Sequence, residues 1–185
     1  ATVVVGDNTA VIKRNSPSGG ALHPTEAYLI VQRVEGIAPG LYHYHSIDGA
    51  LEPMRILDAA SLADFALRCV AGQDYFADAP VLVVLASRFP RSFWKYRNHA
   101  KAYRVVTLDA GHLSQTLYLS ATDLALGAFV TGAINEIDIE EAFGLDPLVE
   151  SVLAVCGFGA RAATRATVEL DPQQRVWDAN GHRID

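Results

Sequence analysis

Apolar residues fall on nearly every face of the stretch Tyr103–Leu126, YRVVTLDAGHLSQTLYLSATDLAL, which contains no proline. Val105, Leu108, His112, Gln115, Leu119 and Thr122 trace one line at helical spacing, and Val106, Ala110, Leu113, Leu117, Ala121 and Leu124 fill the sides. The pattern predicts one long helix of roughly 35 Å. A helix that is apolar all round is enclosed by protein. Asp109, His112, Gln115 and Asp123 interrupt it too often for a membrane span, which wants about 20 mostly apolar residues. A chain this small hardly covers such a helix alone. Two arrangements follow: a dimer whose subunits share the coverage, or a central helix in a monomeric α+β domain.

Around that helix the patterning is mostly that of strands. Thr2–Val5 and Ala10–Lys13 are short β-type runs with Gly6-Asp7-Asn8 as a turn between them. Ala27–Val34, Leu41–His45 and the run around Leu51–Ile56 follow, joined by turns at Pro39-Gly40 and Asp48-Gly49, which predicts antiparallel neighbours. Ser61–Val70 reads as an amphipathic helix capped by Asp58. Pro80 opens VLVVLA (Val81–Ala86), a continuous apolar strand buried on both faces, and Ser151–Phe158 is a second such strand. Gly127–Ala133 leaves the long helix as a turn and strand, and a short helix lies around Ile139–Phe143. Beyond residue 160 the chain is polar and without clear period. The whole predicts a single α+β domain over residues 1–185 with an irregular tail from about 160, not a doubly wound sheet.

Composition adds bounds to this picture. A chain of 185 residues that is 50% hydrophobic and 19% charged suits one globular domain. A net charge of −6, with no basic run, argues against nucleic acid as a partner, and no stretch predicts a membrane span. Cys69 and Cys156 lie in apolar segments, so buried free thiols in a reducing, cytoplasmic setting are expected, with a single disulfide as the alternative. No secretory leader is visible.

Three places carry candidate chemistry. Ser16-Pro17-Ser18-Gly19-Gly20 holds two glycines that let backbone approach a planar or anionic ligand, with hydroxyls and free N–H groups to bind it; a tight connection needing positive φ gives the same pattern. No nucleotide-binding glycine motif accompanies it. Lys95-Tyr96, with Arg97, His99, Lys101 and Arg104 near by, offers two proton-transfer groups, or else a solvated cationic approach to the helix. Gly127–Ala133 could aim backbone N–H groups at a ligand or serve only as an exit turn. His43 and His45 share a strand face but lack a third ligand at supporting distance, so they are read as exposed strand histidines, and His112 as a hydrogen-bonded core histidine; no metal site is expected.

Three stretches together resemble one family. Ser16–Tyr44, Lys95–Asn135 and Gly144–Gly159 resemble the nitroreductase-like flavoproteins, in particular the SagB-type dehydrogenases of peptide maturation, through SPSGG-x-x-x-PTE paired with KY…YR…DAGHLSQ. The resemblance implies a nitroreductase-like α+β fold, bound FMN, and an intertwined homodimer with the flavin at the subunit interface. It implies that Pro17, Ser18, Gly19 and Gly20 line the isoalloxazine ring, with Arg14 and Ser16 beside them. Gly132 and Ala133 would place a backbone N–H near the hydride-accepting ring nitrogen. Lys95 and Tyr96 match a Lys-Tyr pair that looks catalytic in azoline dehydrogenases, and Arg161 or Arg165 falls where the family often places a phosphate-binding cation. The family's N-terminal, arginine-rich Arg-x-Ser segment finds no counterpart here: the sequence starts at Ala1, and only Lys13 and Arg14 are basic before the loop. The chain is then either a piece of a longer protein or grips the phosphate differently.

The function this implies is FMN-dependent dehydrogenation of a modified precursor peptide, azoline to azole, with hydride passed to the flavin and a cyclodehydratase as a further partner. Two rivals stand beside it: an NAD(P)H-dependent nitroreductase or quinone reductase using a small electron acceptor, and a flavin-less, non-catalytic peptide-binding relative.

Overall fold

A computed structural model describes residues 14–97, 99–165 and 170–184, together with the backbone of 2–4 and 10–12. The turn expected at Gly6-Asp7-Asn8, and Lys13, lie outside the described residues. Strands β1 (Thr2–Val4) and β2 (Ala10–Ile12) pair antiparallel with each other.

The main sheet has six strands: β3 (Thr25–Val31), β4 (Gly40–His45), β5 (Ala50–Ile56), β6 (Val81–Arg88), β7 (Gly127–Thr131) and β8 (Glu150–Gly159). They lie in the order β5-β4-β3-β6-β8-β7, and every ladder is antiparallel. The central pair joins β6 to β8 from Val81↔Phe158 at one end to Arg88↔Glu150 at the other. VLVVLA sits in the middle because both its faces are apolar. Leu82, Val84 and Ala86 face one helix layer, and Val81, Val83 and Leu85 face the other.

The first layer is formed by α1 (Ala59–Cys69), α2 (Asp74–Ala77) and α5 (Glu136–Phe143). Leu62, Phe65, Cys69, Ile139 and Phe143 pack there against Tyr28, Ile30 and Val155. Asp58 caps α1 as the sequence predicts, accepting the Ser61 N–H at 2.9 Å. α5 begins three residues earlier than expected, with Asn135 as its cap.

The second layer is α4 (Lys101–Asp123), approached through the short α3 (Phe89–Phe93). Leu113 and Leu117 of α4 seat on Val81, Val83, Leu85 and Cys156. As expected of a chain this small, its own residues do not cover this helix. Within one chain α4 is not enclosed: Ala102, Val106, Asp109, Ala110, Ser114 and Ala121 are buried, while Leu108 and Leu119 are 53% and 64% exposed. The reason is geometric. A sheet offers a helix one surface, and among the described residues no second helix lies along the outer side of α4. The apolar residues on that side remain uncovered.

Candidate active site

Ser18 opens a single turn of 3-10 helix, Gly19–Ala21, in the connection that leads into β3. Three residues within four positions have left-handed backbone: Gly20 (φ 67°), Ala21 (φ 56°) and His23 (φ 46°). For glycine this is free, but for the other two it costs on the order of 1 kcal/mol or more each. Hydrogen bonds hold this strained loop in place. The Ser18 hydroxyl donates to Asp109 Oδ2 at 2.6 Å and accepts the His23 N–H at 2.9 Å, while the Gly19 N–H donates to Asp109 Oδ1 at 2.9 Å. Arg91 Nη1 donates to the His23 carbonyl at 3.2 Å, and a ring nitrogen of His112 lies 3.2 Å from the Pro17 carbonyl. His112 is thus hydrogen-bonded as expected but exposed, not in the core. The buried carboxylate of Asp109 and the adjoining turn of α4 form the bed on which the loop lies.

The loop's closeness to α4 requires glycine. A Cβ on Gly19 would stand 2.3 Å from Val105 Cγ1 and 3.4 Å from the Tyr96 hydroxyl, and one on Gly20 would stand 2.6 Å from Lys95 Nζ. The structure therefore brings the glycine loop and Lys95-Tyr96 together, although 75 residues or more separate them in the chain. The turn after α3 positions the pair, with both backbone N–H groups donating to the Ser92 carbonyl, at 3.2 Å for Lys95 and 3.0 Å for Tyr96. Lys101 Nζ sits 5.6 Å from the centre of the Tyr96 ring.

Behind the loop lies an ion network. Glu26, 6% exposed, holds Arg91 Nη1 at 2.5 Å and His43 Nε2 at 3.3 Å, and Arg88 Nε bonds Glu150 Oε2 at 2.6 Å. The Tyr28 hydroxyl donates to Glu150 Oε1 at 2.8 Å. Burial, reinforced by Glu150 and opposed by the Arg88 guanidinium, pushes the Tyr28 phenol up to about 12, so it stays a donor. Arg88 is itself held above its ordinary value: burial opposes this, but the bonds to Tyr28 and Glu150 outweigh it. His43, expected to be an exposed strand histidine, is half-buried and partnered by Glu26 and by Glu52 at 3.5 Å.

The remaining expected site residues lie elsewhere. Gly132 and Ala133 are exposed beyond β7, where Thr131 Oγ1 accepts the Ala133 N–H at 3.1 Å and Gln73 Nε2 donates to the Ala133 carbonyl at 2.8 Å. No contact among the described residues links them to Ser16–Gly20. Arg161 follows β8 and packs at the start of β7, its Cγ 3.3 Å from where a Gly127 Cβ would be. Arg165 pairs with Gly181 in the tail. The sheet register puts Arg161 at the Val31–Val81–Phe158 end, opposite the Thr25–Ser87 end into which the loop feeds, and Thr164, beside Arg165, lines a cleft there with Pro80 and Gly159. Arg14 donates to Ser46 Oγ at 2.7 Å, and its Nε and the Ser16 hydroxyl are buried without a hydrogen-bond partner among the described residues.

The sequence reading missed Asp109, Glu26 and Arg91. Asp109 was visible as the mid-helix carboxylate of an apolar stretch, and Glu26 as the acid after Pro24-Thr25. Nothing local to Arg91 marked it out.

A glycine loop held against the buried Asp109 carboxylate thus lies beside a lysine and a tyrosine on an antiparallel α+β scaffold. The chain belongs to the nitroreductase family, whose profile matches residues 5–160. It is 35% identical over 129 residues to MJ1384 of Methanocaldococcus jannaschii, a nitroreductase-named protein, covering 68% of this chain and 61% of that one. With the trifolitoxin-processing protein TfxB of Rhizobium leguminosarum bv. trifolii it shares 31% identity over 144 residues, 77% of this chain and 38% of TfxB. Among solved structures, a chain of the E. coli microcin synthetase McbBCD complex with truncated pro-MccB17 bound superposes with a TM-score of 0.69 at 24% identity, over 82% of this chain and 57% of that one. The resemblance to the SagB-type branch thus holds. The chain spans between about two fifths and three fifths of the length of these relatives.

Proposed function

We propose that this chain is an FMN-dependent oxidoreductase of the SagB type that dehydrogenates a modified precursor peptide, for example an azoline to an azole. The observation that carries the reading is the convergence of Lys95 and Tyr96 on the backbone of Gly19 and Gly20. The names of two relatives support the substrate class: one processes trifolitoxin and the other belongs to a complex bound to a pro-microcin.

The residues fit a flavin as two half-sites. Ser16, Pro17, Ser18, Gly19 and Gly20 present a rigid surface, without a Cβ at its two glycines, suited to a planar ring; Gly132 and Ala133 offer exposed backbone on a separate part of the same chain, where the Ala133 N–H is held by Thr131 Oγ1. A homodimer joins the halves, and the uncovered Leu108 and Leu119 of α4 supply an apolar contact for it. Arg14, Arg161 and Arg165 are the cations available to the phosphate.

When bound, FMN supplies the hydride acceptor. Tyr96 or Lys95 takes the proton from the substrate carbon, a contribution of about 10²–10⁴-fold for a positioned general base. Asp109 and Arg91 keep the loop fixed while this happens. A cyclodehydratase partner would deliver the azoline. The setting is reducing and cytoplasmic, as two buried free thiols suggest; among the described residues no helix is long and apolar enough to cross a membrane.

The test is substitution of the pair. Lys95→Ala and Tyr96→Phe should each abolish azoline oxidation while leaving the bound-flavin spectrum unchanged; full turnover in the double variant removes both from the mechanism. A second reading, NAD(P)H-dependent nitroreduction or quinone reduction, draws on the identity to MJ1384. Anaerobic mixing with NADPH separates the two: rapid flavin bleaching favours the reductase.

A further inference from the structure

The protein carries a net charge of −6, yet one cleft reverses that sign. It lies on the far side of the glycine loop from α4 and encloses about 600 Å³. Arg14, Arg88, Arg91 and Lys95 line it against a single carboxylate, Glu26. Two of these cations are already satisfied, Arg88 by Glu150 and Arg91 by Glu26. The other two have no acid partner among the described residues, Arg14 donating through Nη2 to the Ser46 hydroxyl. Arg14 Nε is buried without an acceptor, and neither Arg14 nor Lys95 pairs with a carboxylate among the described residues. A guanidinium N–H taken out of water calls for an anionic partner. The rest of the wall mixes His23, His43, His45 and Ser46 with apolar residues, of which Trp94 and Ile47 are 62% and 65% exposed.

We propose that this cleft is a subsite for a carboxylate-bearing segment of the peptide substrate. The carboxylate sits between Arg14 and Lys95, and the aliphatic parts of the segment lie on Trp94 and Ile47. The volume falls in the range of pockets that take several residues' worth of ligand, far more than an isolated phosphate fills. Glu26 does not cancel the attraction because Arg91 and His43 already occupy its two oxygens. Lys95 faces both the cleft and Gly20, so the acidic segment is adjacent to the residue being oxidised. This assignment rests on the peptide-oxidising function proposed above.

The test reads binding, not turnover. The full chain is titrated with acetyl-Ala-Asp-Glu-Ala-amide, with its Asn-Gln and Lys-Lys counterparts, and with acetyl-tetra-alanine bearing a free terminal carboxylate. Binding is followed by Trp94 fluorescence, with Trp94→Phe as the control for the buried Trp177. The acidic amide should bind at least about tenfold more tightly than the Asn-Gln peptide, a difference of about 1.4 kcal/mol. The preference should shrink with salt and in Arg14→Gln. Comparable binding of the free-carboxylate peptide assigns the recognised group to a chain terminus, whereas binding of the Asp-Glu amide alone assigns it to side chains; either supports the subsite. Equal binding of the three amides overturns the proposal. So does displacement of the acidic peptide by FMN, which would give the cleft to the cofactor's phosphate. A colourless, inactive protein that still prefers the acidic peptide would sink the flavin reading alone, and a yellow, active one without the preference would sink only this inference.

Discussion

The Ser18 hydroxyl and the Asp109 carboxylate meet at 2.6 Å across 91 residues of chain, and this bond fixes the glycine loop to the long helix. The same carboxylate accepts the Gly19 N–H, so one buried side chain satisfies two donors of a strained turn. Replacing Asp109 by Asn leaves one donor facing an amide N–H, and replacing it by Ala leaves both unsatisfied. Losses of about 1–3 kcal/mol in unfolding free energy are expected, larger for Ala. Flavin retention should fall in the same order. An Asp109→Ala variant that melts and binds flavin like the parent would remove the carboxylate from this role.

Gly19 is the tightest point of the loop. Gly19→Ala drives a methyl group into Val105 and should destabilise by about 1–3 kcal/mol, as overpacking does. Pairing it with Val105→Ala should recover part of that loss. Gly20→Ala meets only the mobile end of Lys95, so its cost comes mainly from left-handed backbone, about 1–2 kcal/mol, and Val105→Ala should not relieve it. Chemical denaturation of the four variants checks the pattern, and equal relief in both pairs would contradict it.

The uncovered row of α4 predicts that Leu108→Asp with Leu119→Asp yields a monomer in light scattering. If the two flavin half-sites come from different copies, the same variant loses its flavin while keeping its far-ultraviolet circular dichroism. A dimer that survives both charges places the interface elsewhere.

Asp171 gives a pH dependence with a definite sign. The backbone N–H groups of Val176, Trp177 and Arg175 hold its carboxyl below the usual aspartate value. A folded pKa below the unfolded one, about 3.9, contributes stability that is fully present above pH of about 4 and is lost as pH falls through the folded value. Fluorescence of the buried Trp177 should therefore hold steady from pH 8 to 5 and shift to the red only in more acid solution. Asp171→Asn should show the shifted emission at neutral pH; parent-like emission from that variant would refute the assignment.

Much of this architecture could be read from the chain before any coordinates. VLVVLA announced a strand buried on both faces, the turns at Asp48-Gly49 and before Gly40 announced antiparallel neighbours, and SPSGG with KY pointed to the loop and the pair that meet in space. What stayed hidden depended on partners distant in sequence. Asp109 read as an interruption of an apolar helix because its donors lie some ninety positions away. The outer face of α4 read as buried because periodicity counts apolar residues and cannot say whether one chain or two covers them. Arg161 fell at the opposite end of the sheet from the loop because register, not composition, decides where a strand's end points.

The strand order carries a consequence for biosynthesis. β6 is made some sixty residues before β8, yet β8 is the neighbour that closes its second edge. From the time it clears the ribosome until β8 follows, this apolar strand has a bare row of backbone donors and acceptors, the template on which strands from other molecules add. A nascent chain halted before Glu150 should accordingly accumulate in the insoluble fraction unless a chaperone shields it, and extending it through residues 150–159 should return it to solution.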